Sequence, residues 1–236
     1  MTAGLVATGV RAGYGRAPVL CDVDLCVAPG EVVAVLGHNG AGKSTLLKAL
    51  FGLLPLSAGR IALDGTDVSA ASTHVRVRRG LAYSPQHDFV FRGLSVGENL
   101  RLARFAVDDD AVVESRRAEV FELFPVLAER IGQGAGTLSG GQQRMLSIGI
   151  ALLTDPTLIL LDEPSLGIAP KLLHEVMTAL RSLVDRRGIG IVLVEQNVRA
   201  AAVIADRVAV LRRGTVIHDG AGGEELLGRD ELWELF

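Results

Sequence analysis

Gly37-His38-Asn39-Gly40-Ala41-Gly42-Lys43-Ser44 is the stretch on which the reading of this chain turns. It fits the pattern of a phosphate-binding loop, and it lies between an apolar run, Val32 to Leu36, and a helical pattern from Ser44 to Phe51. Glycines let the backbone curl so that successive N–H groups point at phosphate oxygens, and the helix that follows adds its positive N-terminal end. In such a loop Lys43 reaches the β and γ phosphates of a nucleotide and the Ser44 hydroxyl binds Mg²⁺.

Around this loop the chain divides into strand-rich and helix-rich stretches. Residues 5–36 read as strands: Val23, Leu25 and Val27 alternate with Asp22, Asp24 and Cys26, and the turn pair Pro29-Gly30 precedes the buried run. A short strand with an Asp64-Gly65 turn is expected over 59–68 and another over Leu81–Ser84. From about Gln86 to Leu153 the pattern is helical, near 96–104, 109–124 and 140–153. Beyond it, strands at Leu158–Leu161, Ile189–Val194 and Val208–Leu211 alternate with helices near 170–186 and 197–205, as in a parallel sheet with crossover helices. The tail from Glu224 to Phe236 reads as short amphipathic helix. The expected fold is therefore α/β: a mainly parallel sheet, an N-terminal antiparallel part and an inserted helical subdomain. One domain is expected, with its core in 1–86 and 154–236 and the helical subdomain in 87–153.

Composition limits the partners. The chain has 236 residues, 49% of them hydrophobic and 22% charged, enough to bury a core and unlike a disordered chain. Its net charge of −3 provides no basic field to hold nucleic acid or an anionic membrane. The longest stretch without Lys, Arg, Asp or Glu, Ile131 to Gln143, is Gly-rich and far short of the roughly 18–20 apolar residues that cross a bilayer. The first residues lack the pattern of a secretory signal, so a cytoplasmic location is expected. Cys21 and Cys26 have no metal-site spacing and read as buried small apolar side chains.

Two further motifs carry chemistry. Leu158-Ile159-Leu160-Leu161 is an apolar strand ending in Asp162-Glu163, and ligands of such sheets sit at the carboxyl ends of strands. Asp162 is placed to hold the metal and Glu163 to act as general base on an attacking water. Leu138-Ser139-Gly140-Gly141-Gln142 opens a helix with two glycines in its first turn, each costing roughly 1 kcal/mol relative to Ala. Ser139 reads as an N-cap, and a bare helix start offering N–H groups to an anion would account for the glycines.

With Gln86 after a strand and a polar residue after Ile191–Val194, these motifs resemble, in order and spacing, the ATP-binding cassette family over essentially the whole chain. The resemblance implies a head-to-tail dimer, with a like or a different second ATPase subunit, that sandwiches two ATP molecules with Mg²⁺. It gives nucleotide contacts to Gly37, Asn39, Gly40, Ala41, Gly42, Lys43, Ser44 and Thr45. Tyr14 matches the aromatic that stacks on adenine, and Gln86 the glutamine that touches Mg²⁺ and the attacking water. Ser139, Gly140, Gly141 and Gln142 match the signature that closes over the γ-phosphate of the partner's site. Glu163, Gln86, Gln196 and Lys43 are then the catalytic set, and Ser44, Gln86 and Asp162 the metal set.

Three departures narrow the resemblance. Ala169 stands where most relatives have an acid, Gln196 where most have a histidine, and Ile150 where a basic residue is common. The strings 135–141, 163–170 and 193–198 look like the second ATPase subunit of branched-chain amino acid importers, or of related urea or amide importers. The expected function is ATP hydrolysis that powers import, peripheral on the inner face of the membrane and with integral permease subunits as partners. Export, or a nucleotide-gated subunit of weak hydrolysis, is the alternative. Phe89, Val90 and Phe91, in an expected surface loop beside Gln86, read as the docking face for the permease.

Overall fold

The computed structural model describes residues 4–15, 17–87, 89–105 and 110–222. In chain order the elements are β1 (Leu5–Tyr14), β2 (Ala17–Val27), β3 (Val32–Leu36), α1 (Lys43–Phe51), β4 (Leu56–Leu63), β5 (Thr66–Asp67), α2 (Thr73–Arg78) and β6 (Leu81–Ser84). Then come α3 (Val96–Arg101), α4 (Asp110–Leu123), α5 (Pro125–Glu129) and α6 (Gly140–Leu152). The chain continues with β7 (Leu158–Asp162), α7 (Pro170–Arg187), β8 (Gly190–Glu195), α8 (Val198–Ala202), β9 (Arg207–Arg212) and β10 (Thr215–Ala221). The amphipathic helix expected over 224–236 lies outside the described residues.

Two sheets form. The first is antiparallel with order β2-β1-β4-β5, and the second has order β10-β9-β3-β8-β7-β6. In the second, β3 pairs with β8 and β9, and β7 with β6 and β8, all parallel; only β10 is antiparallel to its neighbour. Parallel strands covered on both faces read as continuous apolar runs, because each alternate residue has a core to enter. In β3, Val32, Ala34 and Leu36 join one core, which is lined by α6 and α7, while Val33 and Val35 join the other with α1 and the antiparallel sheet. The same division holds in β7, where Ile159 and Leu161 face the first core and Leu158 and Leu160 the second.

Among the described residues between β6 and β7 the regular structure is helical, apart from one isolated bridge between Ser95 and Gly134. An ion-pair network binds α4 to the rest of the molecule. Arg116 lies 2.8 Å from Asp155 and 3.3 Å from Glu119, and Arg187 at the end of α7 pairs with Glu119 at 3.0 Å and with Asp155.

The expected burial of Cys21 and Cys26 is incorrect: both are exposed. β2 is an edge strand whose Val23, Leu25 and Val27 fill the core, so Cys26 shares the outer face with Asp24. Cys21 precedes Asp22, whose φ of 52° marks an irregularity in the β1–β2 pairing, and this turns both side chains outward.

Candidate functional site

Strand ends assemble the site. β3, β6, β7 and β8 run in one direction, so Gly37, Pro85, Glu163 and Gln196, each the residue after one of these strands, lie on one edge of the sheet. The loop after β3 curls as its glycines dictate. Gly40 and Gly42 have φ of 82° and 107°, and a Cβ on Gly37 would stand 2.3 Å from the Leu211 carbonyl oxygen, a contact no side chain tolerates.

From this loop Lys43, buried, turns its Nζ back to donate to the carbonyls of Gly37 (2.8 Å) and His38 (3.3 Å), and it lies 3.1 Å from Glu163 Oε1. Gln86 Nε2 donates to the other oxygen, Glu163 Oε2, at 2.6 Å. Ser44 Oγ donates to Asp162 Oδ1 at 3.0 Å, and the Tyr83 hydroxyl to Asp162 Oδ2 at 3.1 Å. A cavity of ≈ 330 Å³ opens above these groups, lined by Tyr14, Val19, Asn39, Gly40, Gly42, Lys43, Ser44, Thr45, Gln86 and Glu163. Tyr14 is half exposed at its rim, with Lys48 Nζ 6.0 Å from the ring centre.

Glu163 has φ of 45°, a left-handed conformation that costs a non-glycine residue about 1–3 kcal/mol and persists only where its surroundings enforce it. Here its N–H donates to the Val194 carbonyl at 2.9 Å, which fixes the turn out of β7 against β8. Burial pushes the Asp162 carboxyl above its ordinary range, opposed by the donors Ser44 and Tyr83. Burial likewise raises the Tyr83 hydroxyl, with the Asp162 charge adding to it.

Three groups that the sequence reading passed over hold this edge together. Tyr83 is the first. Arg144, in α6, is buried and donates to the carbonyls of Pro85 (2.6 Å) and Gln86 (3.1 Å) while its guanidinium lies 4.2 Å from the Phe89 ring centre. Desolvation lowers its pKa, and the negative charges of Asp162 and Glu195 favour its charged form. Glu195, the last residue of β8, is 1% exposed and accepts three hydrogen bonds from the loops on either side of it. The sequence signal for Arg144 and Glu195 was a charged residue at the border of an apolar run, which is rarely buried without a partner.

The signature segment stands apart from the cavity, whose lining contains none of Ser139, Gly140, Gly141 and Gln142. Ser139 caps α6 in a reciprocal box: its Oγ accepts from the Gln142 N–H at 3.3 Å, and the Gln142 side chain accepts from the Ser139 N–H at 3.1 Å. Gly141 has a packing reason, since a Cβ there would lie 2.2 Å from Leu172 Cδ2 of α7. Ser139 and Gly140 are exposed. Gln196 is exposed too and makes no side-chain hydrogen bond within the described residues. Ala169 is the N-cap of α7 and supplies no side-chain bond, while Ile150 packs on the core. The apolar trio divides: Phe91 is 63% exposed, Val90 packs against the core and Phe89 lies under Arg144.

A curled glycine loop at the start of a helix, a buried lysine and an Asp-Glu pair beside it are the arrangement expected of a phosphate-loop NTPase. Comparison with known proteins narrows this. The ABC transporter family model matches residues 20–166, and the chain belongs to that family. It is 42% identical, over 87% of its length and 88% of the relative's, to the high-affinity branched-chain amino acid transport ATP-binding protein BraG of Pseudomonas aeruginosa. It is 38% identical, over 92% of both chains, to a probable branched-chain amino acid transport ATP-binding protein LivF of Archaeoglobus fulgidus. The lipopolysaccharide export system ATP-binding protein LptB of Escherichia coli K12 is 38% identical over 94% of this chain and 92% of that one. Among solved structures, the ADP conformation of MJ1267, an ATP-binding cassette of an ABC transporter, superposes with a TM-score of 0.87 at 26% identity, covering 100% of this chain and 98% of that one. The protein binds and hydrolyses ATP.

Proposed function

We propose that this chain is the ATPase subunit of an importer for branched-chain or other small amino acids, docked on permease subunits at the inner face of the membrane. The similarity to BraG and LivF over nearly the whole chain supports the solute class. No helix among the described residues is long and apolar enough to cross a membrane.

The observation that carries the catalytic reading is that both oxygens of Glu163 are engaged, Oε1 by Lys43 and Oε2 by Gln86. Arrival of a nucleotide gives Lys43 phosphate oxygens to bind in place of Glu163 and the loop carbonyls. Glu163 Oε1 is then free to take a proton from water as general base. Mg²⁺ enters with ATP as part of the substrate. The Ser44 hydroxyl and the Asp162 carboxylate are hard oxygen donors that suit it, phosphates and water supplying the rest, with Gln86 at the edge of the set. Tyr14 offers its ring to adenine. The exposed Ser139 and Gly140, with Gly141 and Gln142, serve the site of a second ATPase subunit, like or unlike this one, and Gln196 turns to the γ-phosphate when that subunit closes. In this reading 1–86 and 154–236 form the ATP-binding core and 87–153 the signature subdomain, with Phe91 against the permease.

Reconstitution of the chain with its permease subunits in vesicles tests the solute. ATP-dependent uptake of leucine or valine is expected. Uptake of urea or amides alone, or outward transport of a lipid as the likeness to LptB suggests, would overturn the amino acid assignment.

A further inference from the structure

We infer that Glu195 is a positioning residue, whose buried carboxylate locks the loop behind Glu163 and the loop that carries Gln196 into one register. Its Oε1 accepts from the Ser165 N–H at 2.8 Å, and its Oε2 accepts from the Ser165 hydroxyl at 2.7 Å and the Asn197 N–H at 3.3 Å. Ser165 follows Glu163 by two residues, and Asn197 directly follows Gln196. One carboxylate therefore spans the two segments that place the general base and the exposed glutamine.

The arrangement is not one that stability alone accounts for. Glu195 makes no direct ion pair among the described residues, the charge of Arg144 acting on it only without contact, and a buried carboxylate is costly unless donors surround it. Among the described residues its donors come from these two loops. Burial raises its pKa while the Ser165 and Asn197 donors oppose the rise, and the charge of Glu163 adds to it. Glu163 meanwhile sits in a left-handed conformation, held upstream by its N–H on the Val194 carbonyl. Ser165 on Glu195 is the corresponding hold downstream. The strained turn is pinned from both sides by consecutive residues of β8, Val194 through its backbone and Glu195 through its side chain.

The inference rests on the assignment of Glu163 as general base, so Glu163→Gln serves as reference in the assembled transporter. Glu195→Gln keeps the shape but replaces one acceptor oxygen by an N–H₂: the Ser165 hydroxyl can turn to accept from it, but the Ser165 and Asn197 N–H groups, held by different oxygens, are left with a single acceptor between them. It is expected to lower kcat by about 10- to 100-fold, as small misplacements of a reacting group do, with KM for ATP changed less than about twofold. Ser165→Ala is expected to lower kcat in the same direction by less, and Ser165→Thr, which restores the hydroxyl, to recover it. Unchanged kcat in Glu195→Gln and Ser165→Ala, with Glu163→Gln inactive, would overturn the role of Glu195 and leave the catalytic site standing. A parallel loss of ATP affinity and kcat would also overturn it, since Glu195 would then support the pocket as a whole. If Glu195→Gln does not fold, the Ser165 pair decides: slow with Ala and normal with Thr supports the inference, and equal rates overturn it. Full turnover in Glu163→Gln would remove the general base and the inference with it.

Discussion

Lys43 compresses the chemistry of the phosphate loop into one side chain. Its ammonium is satisfied by two loop carbonyls and by Glu163, which fix the cation within the curl of the loop. Lys43→Ala is expected to abolish high-affinity ATP binding in equilibrium dialysis, and near-normal affinity would count against the phosphate-loop reading. Gln196 is the residue that differs in kind from the histidine common at its position. A histidine there titrates with an ordinary pKa near 6.5, whereas a glutamine amide donates one N–H and carries no proton across that range. Gln196→His is therefore expected to retain turnover and add a pH dependence between about 5.5 and 7.5 that the wild type lacks. Gln196→Ala should lose most hydrolysis with little change in ATP affinity; wild-type turnover in that variant would make Gln196 a bystander.

At the scale of elements, what the sequence made legible was whatever the two-faced sheet enforces. β3, β7 and β8 are apolar throughout because both faces are covered, and the positions of α1, α6 and α7 followed from their periodicity. The Asp64-Gly65 turn was equally readable, since both residues take positive φ. α2 was not, because Thr73-His74-Val75-Arg76-Val77-Arg78 alternates like a strand. Its helix is fixed instead by Arg76, which is buried and donates to the carbonyls of Ala49 (2.9 Å) and Leu50 (2.6 Å) at the end of α1, and to Ala71 and Ser69. Desolvation lowers the Arg76 pKa, and among the described residues its hydrogen-bond partners are backbone carbonyls. β10, polar and glycine-containing, is an edge strand that pairing with β9 makes regular. At the site, Lys43, Ser44, Asp162 and Glu163 were legible because motif spacing encodes them. The bond from Tyr83 to Asp162 and the hold of Glu195 on Ser165 were not, because they join segments far apart in sequence. Arg76→Leu removes the guanidinium from the buried Leu50 carbonyl and the part-buried Ser69 and Ala71 carbonyls, while Ala49 keeps the Gly52 N–H, and is expected to cost about 3 kcal/mol in urea unfolding. A loss below about 1 kcal/mol would mean that water satisfies those carbonyls instead.

Across the whole molecule, the buried carboxylates give stability a pH dependence of definite sign. Asp162 and Glu195 are both raised above their ordinary values of 3.8 and 4.5, chiefly by burial. Each holds its proton to higher pH when folded than when unfolded, so its contribution to stability falls as pH rises from the ordinary value to the folded one. The exposed acids Asp22, Asp67, Glu98 and Asp185 are shifted the other way, and their contribution is complete above their ordinary values. As pH rises above the ordinary carboxylate range, the wild type is therefore expected to lose melting temperature relative to Glu195→Gln, which has no carboxyl at this position. A wild type that gains melting temperature relative to Glu195→Gln over the same rise in pH would contradict the placement of Glu195. The central claim is that Glu163, freed from Lys43 when ATP binds, is the base of a composite site shared by two subunits. The most direct test is Glu163→Gln, followed for both ATP binding and hydrolysis in the assembled transporter. The account predicts wild-type ATP affinity, a loss of about 10²- to 10⁴-fold in hydrolysis and a dimer that stays closed on ATP. Undiminished hydrolysis, or ATP affinity lost along with it, would contradict the account.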